Sequence, residues 1–116
     1  MTTTKPMDDR ELLELAAKAA GVPVDMNNEG GIGWFACGSF DGETVWWNPL
    51  KDDGDALRLA VKLGMRVSIN SDATDVYDGE RSHLRELYYG NAHAATRRAI
   101  VRAAAEIARQ EKDHDR

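Results

Sequence analysis

Two short apolar runs meet at Asp41-Gly42. An Asp-Gly step in that setting is a hairpin turn, since the tight turn needs residues that tolerate positive φ. It predicts paired strands over Ile32–Phe40 and Glu43–Trp47 and therefore a mainly antiparallel sheet. Asn48-Pro49 ends the second strand, because proline has no N–H to give to a ladder. In the first strand Ile32, Trp34 and Ala36 alternate with Gly33, Phe35 and Cys37, so it is apolar on both sides. Such a strand favours helices on both faces of its sheet.

Helical spacing supplies the rest. Leu12, Leu13, Leu15, Ala16, Ala19 and Ala20 stripe a helix over Asp8–Ala20, with Gly21 and Pro23 as its stop. Asp8, Asp9 and Glu11 suit the positive end of its dipole. Val24–Gly31 reads as a polar loop. Ala56, Leu57, Ala60, Val61 and Leu63 stripe a second helix over Asp52–Leu63, closed by Gly64, and a strand over Met65–Ile69 follows. Asn70–Gly79 is polar and rich in turn residues, so a mobile loop is expected. Arg81–Tyr89 is either a fourth strand or a short irregular helix, broken by Gly90-Asn91. Ala92–Glu111 is a long alanine-rich helix, Lys112–Arg116 a charged tail and residues 1–7 a flexible leader. The expected fold is α+β: one domain, a three-layer α/β/α sandwich with an antiparallel sheet of three to four strands and helices on both faces.

Bulk chemistry removes several function classes. Net charge is −5, which argues against general nucleic-acid binding, since phosphate contacts need lysine and arginine. No apolar run is long enough to cross a bilayer, and residues 1–10 lack the apolar segment of a secretory signal. The single cysteine, Cys37, excludes an intrachain disulfide and an all-cysteine zinc site, and suits a reducing cytoplasm. His83, His93 and His114 lack metal-binding spacing. Gly30-Gly31-x-Gly33 lacks the lysine of a phosphate loop, and no serine sits in a nucleophile-elbow pattern. No catalytic residue, metal or cofactor is expected, and an enzyme is not expected.

Three blocks carry a resemblance: Glu11 to Gly21; Trp47-Asn48-Pro49-Leu50 with Asp52 to Leu63; and Thr96 to Ile107. Together they resemble the small bacteriophage and prophage proteins of the phage ABA sandwich domain family. The last two blocks are similar in layout to NinX-like phage proteins, which share an asparagine-proline, an aspartate-alanine helix start and a late arginine helix. The resemblance implies a phage origin, a bacterial cytoplasm and a three-layer fold. It carries no catalytic residue, because that family has no assigned reaction. The stretch from Asn70 to Tyr89 has no counterpart in it.

Candidate surfaces follow from charge and aromatics. Asp52, Asp53 and Asp55 form one acidic cluster; a cation is one reading, but aspartates at a helix start are explained by capping. Asp72, Asp75, Asp78 and Glu80 form a second, without calcium-loop spacing, and read as a solvated turn. Both are candidate partner-binding patches that would present nucleic-acid-like charge to a basic host protein. Trp46 and Trp47 point to opposite sides of their strand; either they fill the core, or one joins Trp34 as a stacking shelf for a nucleotide. Arg98, Arg102 and Arg109 share one stripe of the last helix, a phosphate-binding face or a solvated one paired with Glu106 and Glu111. Analogy with the phage proteins makes a non-enzymatic accessory protein that binds a host macromolecule, with inhibition of a host or defence protein as its effect, the leading expectation. The alternatives are a nucleotide or small-ligand binder and a structural protein, a homodimer through the C-terminal helix.

Overall fold

The computed structural model describes residues 8–22, 35–40, 43–79 and 82–114; for residues 35–40, 43–46, 82 and 111–114 it describes the backbone alone. The leader, the loop Val24–Gly31, Asp41-Gly42, Trp34 and Glu80 lie outside the described residues. The elements run α1 (Asp9–Ala20), β1 (Phe35–Phe40), β2 (Glu43–Trp47), α2 (Asp53–Leu63), β3 (Arg66–Ile69), β4 (Ala73–Asp78), β5 (Ser82–Leu87) and α3 (Ala92–His114).

The helix ends follow from local chemistry. At α1 the Asp8 carboxylate accepts the Glu11 amide at 2.8 Å, and the Asp8 amide donates to Glu11 Oε1 at 3.1 Å. That reciprocal pair satisfies two amides a helix start leaves open. At α2 the Asp52 carboxylate accepts the Asp55 amide at 2.8 Å. Both helices end on a left-handed glycine, Gly21 at φ 70° and Gly64 at φ 66°. A side chain there would be strained, and the glycine N–H groups close on the last carbonyls.

The fold is α+β with antiparallel sheets. The strands divide into two sheets: a hairpin β1–β2 and a three-stranded sheet in the order β3-β4-β5. The hairpin pairs Phe35 with Trp47 and Phe40 with Glu43, with an irregularity between Ala36 and Ser39. Helices on both faces were expected from strand one, whose side chains lie outside the described residues. The helix packed on the three-stranded sheet most extensively is α3, which also packs on α1 and α2.

Alanine makes that central position possible. Ala95, Ala99, Ala103, Ala104, Ala105 and Ala108 of α3 are all buried, as are Ala16, Ala17 and Ala20 of α1. Small side chains on two sides of one helix let α1 and the sheet both approach its backbone. Leu13, Val76 and Val101 are among the largest side chains that are fully buried, and each contributes about 1.5–3 kcal/mol of apolar burial. The alanine face expected to meet a twin helix is thus used within the chain.

Two expectations are corrected and one open alternative is decided. The stretch read as a mobile loop, Asn70–Gly79, contains strand β4; before it Ser71 and Asp72 turn, closed by the Asn70 amide on the Ala73 carbonyl at 2.9 Å, and after it Gly79 turns at φ 59°. Arg81–Tyr89 is resolved in favour of a strand, β5, paired with β4 from Ala73↔Leu87 to Asp78↔Ser82. In α2 the core side is Ala56, Leu59 and Ala60, while Leu57 and Val61 are exposed. Residues 57 and 61 lie one helical step, about 100°, beyond 56 and 60, and the buried arc of α2 stops short of them.

Candidate functional site

Among the described residues the two acidic clusters do not form acidic faces. Asp52 is the cap of α2. Asp53 is exposed but holds Arg97 at 2.6 Å and His93 at 3.4 Å; the Arg97 hydrogen bond chiefly lowers its pKa. Asp55 is buried, accepting the Asn48 amide at 2.9 Å and Arg58 at 2.7 Å. In the second cluster Asp72 sits in the exposed turn, and strand parity sends Asp75 and Asp78 to opposite faces of β4. The solvated turn expected at Asp75 is wrong: the residue is 4% exposed.

Asp75 is the centre of a clasp on the sheet face turned away from α3. Its Oδ1 accepts His83 Nε2 at 2.6 Å and Arg85 Nε at 2.9 Å, and its Oδ2 accepts Asn70 Nδ2 at 2.9 Å and Arg85 NH2 at 3.1 Å. These bonds, Arg85's first and then His83's, hold its carboxyl below the usual range. With both oxygens doubly occupied, the carboxylate has no lone pair left to act as a base or to hold a cation. Beside it Tyr77 stacks on His83 at 4.6 Å, and the Arg66 guanidinium lies 4.5 Å from the Tyr77 ring centre on β4's other side. The cluster ties three strands together at one level.

The other face of the sheet has its own polar tie to α3. Thr74 Oγ1 meets Thr96 Oγ1 at 2.7 Å and Tyr88 Oη at 3.1 Å, and Tyr88 donates to the Asn70 carbonyl at 2.6 Å.

The arginine stripe of α3 is paired. Arg98 reaches Asp9 at 3.1 Å, Arg102 bonds Glu86, and Arg109 lies 3.4 Å from Glu106. Two of the three contacts fasten α3 to other elements, α1 and β5. Trp47 is buried at 7% exposure and belongs to the core. For Trp46 only the backbone is described, and Trp34 lies outside the described residues.

What residue spacing missed is an apolar flank on α2 and β3. Leu57, Val61 and Ile69 are 63%, 72% and 67% exposed. Leu57 and Ile69 line one open groove of about 380 Å³, with Val67 and Ile100 in its apolar lining and Asp53, His93 and Arg97 at its polar end. Strand β3 is the edge of its sheet. The Asn70–Ala73 bond sets which of its amides face inward. In an antiparallel ladder bonded pairs alternate, so Arg66 and Ser68 bond towards β4, and Val67 and Ile69 turn their N–H and C=O outward. Those groups have no backbone partner among the described residues. The same two residues point their side chains into the groove. One signal for the flank stood in the sequence: the second apolar pair, Leu57 and Val61, widens the stripe of α2 beyond one buried face.

Among the described residues no group of three or more histidine, cysteine or acidic side chains is placed to hold a metal ion, and no helix is long and apolar enough to cross a membrane. Comparison of the chain with protein-family models, curated proteins and solved structures finds no match in any of the three.

Proposed function

We propose that the chain is a non-enzymatic binding domain that acts by receiving a polypeptide on the α2–β3 flank. One observation carries this: three large apolar side chains, Leu57, Val61 and Ile69, stand exposed on one flank, where Leu57 and Ile69 line a groove beside a strand edge that has no partner among the described residues. Strand edges and contiguous apolar patches are surfaces that soluble domains otherwise cover or charge. A polypeptide satisfies both halves of this surface, supplying backbone groups to β3 and apolar side chains to the groove. Binding through the acids, as first expected for a host partner, has less support, because Asp52, Asp53, Asp55 and Asp75 are engaged within the chain. The nucleotide alternative also has less, since Trp47 is buried and the arginines of α3 face carboxylates. A phage origin stays with the sequence resemblance.

The test is capture by tagged protein from a bacterial lysate that also contains untagged copies of the chain. Wild type is compared with Leu57→Lys/Val61→Lys. A polypeptide retained by wild type and lost by the variant is expected. Identical retained sets would remove the flank from the function.

A further inference from the structure

We infer that the polypeptide received by the α2–β3 flank is a second copy of this chain, joined edge to edge at β3 across a two-fold axis through Ser68. This rests on the flank being a polypeptide-binding surface. A two-fold contact uses the same patch on both partners, so the patch must be complementary to itself. Three features of the flank meet that condition.

The backbone is the first. An axis at Ser68 sets Val67 opposite Ile69 of the second copy and Ile69 opposite its Val67. These are the residues whose N–H and C=O point outward from the sheet, so each pair can exchange two hydrogen bonds. The result is a continuous six-stranded sheet in the order β5-β4-β3-β3-β4-β5.

The side chains are the second. Val67 and Ile69 of the two copies lie on the α2 side of the joined strands, where Leu57 and Ile69 of each copy line the groove. The same axis runs the two α2 helices antiparallel over that seam, with Leu57 and Val61 of one facing those of the other. One contact thus covers Leu57, Val61 and Ile69, which the single chain leaves exposed.

Charge is the third. On the opposite side of the sheet the axis pairs Arg66 with the uncharged Asn70, and Ser68 with itself, so no like charges face each other. The first turn of α2 is acidic and its last turn basic, so antiparallel α2 helices bring ends of opposite charge side by side.

The experiment exploits the axis. Ser68 and its copy form the non-hydrogen-bonded pair, with Cα atoms about 4.5 Å apart, within the range a disulfide spans. Ser68→Cys is made in a Cys37→Ser background, with Tyr89→Cys, at the 89% exposed turn after β5, as the control. Mild oxidation is expected to join Ser68→Cys chains into pairs rapidly and Tyr89→Cys chains slowly. Sedimentation equilibrium of wild type is expected to give twice the 12.8 kDa of the chain, and Ile69→Lys, checked for folding by circular dichroism, the single mass. Wild type at the single mass at all concentrations would overturn the inference, as would equal cross-linking of the two cysteine variants. If such a monomer still retains another lysate polypeptide in a Leu57-dependent way, the binding function stands and the self-pairing falls. If it retains nothing, both fall.

Discussion

Replacing Asp55 by alanine tests how the Asn48-Pro49 corner is held to α2. Two interactions are lost, and their environments differ. The Asn48 amide donates to Asp55 Oδ2 at 2.9 Å, and Asn48 is fully buried. Left without an acceptor, a buried amide costs about 1–3 kcal/mol. The second interaction is with Arg58 at 2.7 Å, whose side chain is 73% exposed. Solvent takes over as its partner, so this part contributes about 0.2–1 kcal/mol. The sum is about 1–4 kcal/mol, dominated by the amide. For 116 residues, at about 2.1 cal/mol/K each, the unfolding entropy is about 0.24 kcal/mol/K, so Tm should fall by about 5–16 °C. The assay is thermal and urea unfolding of wild type, Asp55→Ala and Arg58→Ala, followed by circular dichroism. Arg58→Ala should lose under about 1 kcal/mol. If Arg58→Ala loses as much as Asp55→Ala, the ion pair and not the buried amide is the main tie, and the accounting is wrong. If Asp55→Ala loses nothing, the corner is held by something else.

Two further outcomes follow from the core and the clasp. Ala104, fully buried in α3, should not accept leucine: overpacking costs about 1–3 kcal/mol, read as a lower urea midpoint, and an unchanged midpoint would mean that this alanine face is open to a partner rather than filled by the chain. Asp75 has a depressed pKa, so the stability it contributes is present above 3.8, the ordinary value of its carboxyl, and is lost as pH falls below that towards the folded value. Asp75→Asn should therefore flatten the acid limb of the stability–pH curve, measured by urea unfolding between about pH 5 and pH 2; a limb as steep as wild type would assign it to other carboxylates.

The parts of the fold legible in the sequence are those decided within a few residues. Asp8 and Glu11 cap each other three positions apart, Asp52 caps Asp55 at the same distance, and Gly21 and Gly64 stop their helices by their own backbone freedom. Strand β4 was not legible for the opposite reason. Ala73 to Asp78 carries three residues out of six that favour turns or solvent, Thr74, Asp75 and Asp78, and composition over that window reads as a loop. Thr74 and Asp75 are admitted to a buried strand because partners arrive from elsewhere: Thr96 from α3, 22 positions on, and Arg85 from β5, 10 positions on. Burying an aspartate without such partners would be costly, so its place in the strand and the register of β5 are one fact, and no window shorter than both strands contains it. The flank escaped for a related reason. Periodicity shows that α2 is apolar at 56, 57, 60 and 61, but the width of the arc that neighbours cover is set by how far α3 and the sheet extend around it. Leu57 and Val61 became surface only when that extent was known, and with β3 at the sheet edge they became one surface. An apolar stripe wider than the core it packs on is thus a sequence-level sign of a second contact.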